Sequence, residues 1–161
     1  MTIGAALTGG VVGTLVLTTI LTAASELRVT RIDLPFLLGT AVSANRTAAR
    51  AIGYGLHFVA GLVFALGYYA AFIVLGHAGW ALGMAFGLLH ASFAGTALVN
   101  VILPAIHPRM GTFYNAANSE AVLELPGFML LNYGRATPIV TLLAHLLYGA
   151  IVGAFIGASA H

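Results

Sequence analysis

Six histidines are the side chains in this sequence best suited to chemistry: His57, His77, His90, His107, His145 and His161. Three of them, His57, His90 and His145, stand in runs otherwise fit for hydrocarbon, as in "GLHFVAGLVFALG" and "LAHLLYGAIVGAFIG". An ionisable group at membrane depth is costly to place and marks a functional site by default. Imidazole is the mildest such group, because its neutral form can simply hydrogen-bond a neighbouring helix. It is also a metal ligand and a proton carrier. The other three histidines fall in loops or at the terminus, where they are expected to be solvated.

Counting 1.5 Å per residue, His57 lies about 10 Å beyond Arg50 and His145 about 15 Å beyond Arg135, a similar depth. His90, counted back from His107, lies about 25 Å from that same end, nearer the opposite leaflet. This spacing disfavours a three-histidine metal centre and leaves His57 and His145 as a pair. Two imidazoles on facing helices are a recognisable way to hold a haem iron or a related tetrapyrrole, with Gly61 and Gly149 one turn away giving the ring room. A proton relay through His57, His145 and Tyr148 would use the same groups.

Other chemistries lack their residues. There is no cysteine, so thiolate chemistry, disulfides and cysteine-ligated metals are excluded. No Walker loop and no H-E-x-x-H occur. The four carboxylates, Glu26, Asp33, Glu120 and Glu124, all fall outside the apolar runs, where Asp33 with Arg31 and Glu124 with Arg135 are expected ion pairs. Ser119 beside Glu120 supplies no nucleophile–base pair by spacing. The expectation is a chain that is not an enzyme.

The elements that must carry these histidines are membrane helices. Sixty per cent of the residues are hydrophobic and six per cent charged, with mean hydropathy +1.02. A soluble domain carries about a quarter charged residues. Four stretches reach the roughly 20 apolar residues needed to cross a bilayer: Ile3–Ala24, Ala51–Leu75, Gly79–Leu103 and Pro138–Ala160. Residues 1–161 are therefore expected to form one all-α transmembrane domain. The first stretch lacks the basic flank of a signal peptide and is expected to be retained.

All six basic residues are arginines: Arg28, Arg31, Arg46 and Arg50 between the first two spans, Arg109 and Arg135 between the last two. The positive-inside rule puts both loops in the cytoplasm and both termini outside. The basic pI follows from that bias and does not indicate nucleic-acid binding.

An internal repeat orders the chain. "GTLVLTTILTAA" from Gly13 matches "GTALVNVILPAI" from Gly95 at an offset of 82, with Thr18 over Asn100. Each is followed by an acidic-Leu-Pro triplet, Asp33-Leu34-Pro35 or Glu124-Leu125-Pro126, a short apolar segment, an arginine, and a span carrying His-x-x-x-Gly. The pattern predicts a tandem repeat of two helical hairpins, about 3–75 and 79–160. The halves are related by a pseudo-twofold along the membrane normal. The short segments hold about ten apolar residues, too few to span, and are expected to be interfacial or re-entrant half-helices on the cytoplasmic side.

Small residues recur at i, i+4: Gly9/Gly13, Gly83/Gly87 with Gly95 further along, and Gly149/Gly153. Such rows let helix backbones approach in lipid. They put His57 and His145 on faces that meet other helices. Among the threonines of the first span, Thr14, Thr18, Thr19 and Thr22, hydroxyls bonded back to their own helix are the expectation. Pro104 is expected to end the third span.

The segments "TRIDLPFLLGTAV", "GFMLLNYG" and "LAHLLYGAIVGAFIG" resemble a family of small, uncharacterised bacterial four-helix integral membrane proteins. The resemblance implies a bacterial inner-membrane protein with four spans and carries no site residues. Three functional expectations follow from the residues. The first is a non-catalytic accessory subunit of a larger membrane complex, respiratory or otherwise redox, packed through its glycine faces against other subunits or itself. The second is a haem- or tetrapyrrole-binding protein using His57 and His145. The third is an oligomeric proton or small-solute transporter or channel subunit.

Overall fold

The computed structural model describes residues 1–110 and 123–160, and every element in it is helical. Four helices are long and apolar enough to cross a membrane: Ile3–Glu26, Arg46–Leu75, Trp80–Ile106 and Thr137–Ala158. They make the chain a helical bundle of the multi-pass membrane type. Its outer surface is lined with exposed large apolar side chains such as Leu15, Val59, Val63, Leu89 and Val101, as a lipid-facing surface requires.

Helix α1 (Ile3–Glu26) is capped by Thr2, whose hydroxyl accepts from the Ala5 amide. The short α2 (Leu34–Gly39) follows, then α3 (Arg46–Leu75), which starts a turn earlier than its apolar run because Asn45 caps it. The third span is a composite of α4 (Trp80–Phe93), a π-helical stretch (Ala94–Ile102) and α5 (Leu103–Ile106). A 3-10 segment, Phe128–Tyr133, precedes α6 (Thr137–Ala158).

Pro104 does not end the third span. Proline offers no N–H and crowds the carbonyl four residues back. The widened i→i+5 winding over Ala94–Ile102 lies just upstream of it, and the helix runs on to Ile106. Asn100 secures the widened part, its amide donating to the carbonyls of Gly95, Thr96 and Gly127.

Both acidic-Leu-Pro triplets lead into short helical pieces. Asp33 Oδ1 accepts from Phe36 N at 3.1 Å and caps α2. Glycine fixes α2 against α3: a Cβ on Gly39 or Gly53 would lie 1.6 Å from the carbonyl oxygen of Ala49 or Pro35. In the 3-10 segment, Met129 and Leu130 have φ of 51° and 65°, left-handed values that cost strain in non-glycine residues. Leu130 is held there by burial against Ile32 and Val99. The Tyr133 hydroxyl donates to the Glu124 carbonyl, and burial, followed by the Glu124 carboxylate, pushes its phenol up to about 12.

The ion pairs differ from those expected, Asp33 with Arg31 and Glu124 with Arg135. Asp33 pairs with Arg50 at 2.6 Å, because α2 folds back on α3, and Glu124 lies 3.8 Å from Arg31. His107 is buried, not solvated. Its Nδ1 accepts from the Arg109 amide and its Nε2 donates to the Leu37 carbonyl, supplying a partner that the end of a helix lacks. Ser119, Glu120 and His161 lie outside the described residues.

Three seams hold the bundle: α1 on α3, α1 on α6 and α4 on α6. In the α4/α6 seam, a Cβ on Gly83 would sit 2.0 Å from the Gly149 carbonyl oxygen, and one on Gly149 would sit 2.1 Å from that of Gly83. Gly87 meets the carbonyl of His145 in the same way, and Gly153 that of Gly79. On α1, Gly9 receives Val152 and Phe155, and Gly13 receives the Tyr148 ring. Gly95 faces Met129. The glycine rows are thus filled within the chain. Helices α3 and α4 form no such backbone seam. They meet through rings: Phe64 stacked on His90 at 3.6 Å, and Tyr68 and Phe72 against Phe86.

Candidate functional site

The gap left between α3 and α4 is a cavity of about 200 Å³, and His57, His90 and His145 all line it. Thr14, Thr141 and Tyr148 also line it, and the rest of the wall is apolar, with Leu17, Leu21, Phe64, Leu98, Val99 and Leu130 among it. Phe64, Leu98 and Leu103 are only half-buried, so this flank is open toward the lipid-facing surface. Ala94, Leu98 and Val99 belong to the π-helical stretch, whose wider winding shapes one wall.

Each histidine has a defined setting. His145 Nδ1 lies 2.8 Å from the carbonyl of Thr141. A carbonyl only accepts, so Nδ1 carries the proton and Nε2 of the neutral ring presents a lone pair. His57 Nδ1 lies 3.0 Å from the Thr18 hydroxyl, which itself donates to the Thr14 carbonyl at 2.6 Å. With that proton committed, His57 Nδ1 is again the donor and its Nε2 again the free acceptor. Neither Nε2 has a hydrogen-bond partner among the described residues. His90 Nδ1 lies 3.4 Å from the Tyr68 hydroxyl, and its ring stands edge-on to that of His145 at 4.7 Å. The Tyr148 hydroxyl donates to the Gly61 carbonyl and ties α6 to α3.

Two further cavity-lining groups are unsatisfied. The hydroxyls of Thr14 and Thr141 are buried without a hydrogen-bond partner. A threonine in a helix ordinarily bonds back to its own carbonyl ladder, as Thr18 and Thr19 do here. A buried hydroxyl that makes no bond costs about 1–3 kcal/mol.

A second recess, about 110 Å³, adjoins the first at His57. Polar and apolar groups share its lining, with Thr22, Ser25, Glu26, Asp33 and Arg50 among the polar ones, and it faces the charged end of the bundle. His57, Leu21, Ile32 and Leu34 form the wall shared between this vestibule and the apolar cavity, and His57 is its polar member.

The structure brings His57 and His145 to one cavity and adds His90, which depth counting had put nearer the opposite leaflet. The count from His107 failed because the third span runs on past the start of α6. Val99, nine residues beyond His90, packs beside Leu130 of the segment that precedes α6. The signal for His90 lay in the rows: opposing Gly83/Gly87 to His145/Gly149 antiparallel places His90 one turn from the contact. Nothing in the sequence singled out Thr14 or Thr141 from the other threonines.

Haem does not fit this site. A tetrapyrrole is at least drug-sized, and pockets for such ligands run to about 300–1,000 Å³. Gly61 and Gly149 leave no room for a macrocycle, since Thr14 fills the space beside one and the Gly83 backbone the space beside the other. Among the described residues no group of three or more His, Cys, Asp or Glu side chains is placed to hold a metal ion. Comparison of the chain with protein-family models, curated proteins and solved structures finds no match.

Proposed function

We propose that the chain is a ligand-holding membrane protein that takes a small, mostly apolar molecule from the bilayer into the cavity between α3 and α4. The observation that carries this reading is the open α3/α4 flank, where a lipid-facing gap leads to buried, unpartnered polar groups. A cavity of about 200 Å³ is of the size that admits one aromatic ring, since an apolar cavity near 150 Å³ holds benzene. In this reading the chain is an accessory protein to the membrane enzymes that make or consume the ligand. The filling of its glycine rows from within supports a binding role over one of simple packing glue.

The same proposal includes two related hairpins, arginine-rich loops in the cytoplasm, termini outside, and a bacterial inner membrane as the location. The clustering of Arg31, Arg50 and Arg109 around the two short segments supports that orientation. A transporter reading has one feature in its favour, the vestibule that meets the cavity at His57.

Fluorobenzene in nanodiscs tests the binding reading by 19F NMR. A saturable bound signal is expected with the protein and not in empty nanodiscs. It should disappear in Ala60→Phe, which fills the half-buried flank without touching a histidine. A signal of equal size in Ala60→Phe would place the binding elsewhere and end this reading.

A further inference from the structure

The hydrogen-bond valences left open in the cavity specify more than an apolar occupant. Two imidazole nitrogens, Nε2 of His57 and of His145, can only accept, because each ring's single proton is held on Nδ1 by Thr18 or Thr141. Two hydroxyls, those of Thr14 and Thr141, have no partner and can donate. Few groups answer both demands. A ketone or quinone oxygen accepts from threonine and leaves the imidazole acceptors of His57 and His145 unpaired. An ammonium can donate to both the imidazoles and the threonine oxygens, but its charge is costly to bury among leucine, valine and phenylalanine walls. A ring hydroxyl donates to an Nε2 and accepts from a threonine through one oxygen atom. Water has the same valences and can pair with these groups, but it leaves the leucine, valine and phenylalanine walls of the rest of the cavity without a packing partner.

We infer that the cavity selects an aromatic ring bearing a free hydroxyl, a phenol or hydroquinone head group, held through its hydroxyl by His57 or His145 together with Thr14 or Thr141. The ring lies against Phe64 and the leucines, and any hydrocarbon tail leaves through the α3/α4 flank. His57 has a second consequence as the polar member of the wall shared with the vestibule. The hydroxyl it holds is one imidazole away from the recess that contains Asp33 and Glu26. This inference rests on the binding reading above and adds the chemical class of the ligand.

The test uses three probes in nanodiscs by 19F NMR: fluorobenzene, 4-fluorophenol and 4-fluoroanisole, each corrected for its partition into empty nanodiscs. Blocking the hydroxyl with a methyl group removes the donor and keeps the ring. The expected result is at least about a tenfold preference for the phenol over the anisole, about 1.4 kcal/mol. That preference, read as the phenol-to-anisole ratio within each variant, should shrink to about twofold or less in His57→Leu or His145→Leu. Equal binding of phenol and anisole to the unaltered protein overturns the inference and leaves the binding reading standing. Failure of all three probes overturns both. Because the decisive comparison is made on the unaltered protein, a variant that does not fold cannot mask the outcome.

Discussion

The α4/α6 seam and the α3/α4 gap are built from different kinds of residue and reach opposite results. At the seam, glycine faces glycine, so each helix lays its Cα hydrogens against the other's carbonyls and no space remains. At the gap, α3 presents Phe64 and Tyr68 to His90 and Phe86 of α4, and ring on ring keeps the two backbones apart. In lipid there is no hydrophobic force to close such a gap, since acyl chains are as apolar as leucine. Close packing must come from small residues. Where large rings replace them, the bundle stays open, and the opening is lined by His57, His90, His145 and the unsatisfied Thr14 and Thr141.

The largest effect should come from forcing the closed seam apart. Gly83→Leu would put a branched side chain where the first added carbon already lies 2.0 Å from the Gly149 carbonyl oxygen. Backbone cannot rotate away as a side chain can, so α4 must separate from α6. The expected cost is about 3 kcal/mol or more, at the upper end of overpacking. A thermal or SDS unfolding midpoint in detergent reads it. A midpoint within error of the unaltered protein would mean that α4 and α6 do not meet through these glycines.

Much of this was legible in the sequence, and what was not has a physical reason. Four spans followed from hydrophobic run length, because a bilayer sets a minimum length for a helix. The glycine rows lie where helix backbones approach each other. They did not say which partner would fill them, since a row of glycines fits a neighbour in the chain as well as one outside it. Asp33 was visible at the head of a short apolar segment with Arg31 as its expected partner, yet its ion partner is Arg50, because α2 doubles back onto α3 through Gly39 and Gly53. His107 looked like a loop histidine and is a buried clasp on the end of α2. The site was half legible: two of three histidines were paired on spacing, while His90 was displaced by a count that took both spans to share one base. The orphaned hydroxyls of Thr14 and Thr141 are properties of packing alone, invisible until the helices are placed.

An intermediate effect is expected where the gap is bridged. The Tyr148 hydroxyl reaches from α6 to the Gly61 carbonyl of α3, spanning the back of the cavity. Tyr148→Phe keeps the ring against Gly13 and removes only that bond. Hydrogen bonds between membrane helices average about 0.6 kcal/mol, so a loss of about 0.5–1.5 kcal/mol is expected. The same variant should loosen α3, raising hydrogen exchange at amides around Gly61 and leaving those around Gly83 unchanged. Equal loosening at both places would show that the seam and the gap are not independent.

The smallest effect should fall on glycines outside both regions. Gly67 lies on the exposed face of α3, and a Cβ there would meet nothing within 4 Å. It differs from Gly61, less than two turns away, where the same atom would strike the Thr14 hydroxyl at 1.9 Å. Gly67→Ala should therefore leave the unfolding midpoint unchanged or raise it by up to about 1 kcal/mol, through helix propensity alone. Gly61→Ala should lower it and alter fluorobenzene binding, because it displaces Thr14 from the cavity wall. If Gly67→Ala instead destabilises the protein in its native membrane but not in dilute detergent, something covers that face in the membrane. Cross-linking at Gly67→Cys would then identify whether the cover is a second copy of the chain, making the open face of α3 a seam of the same kind as α4/α6.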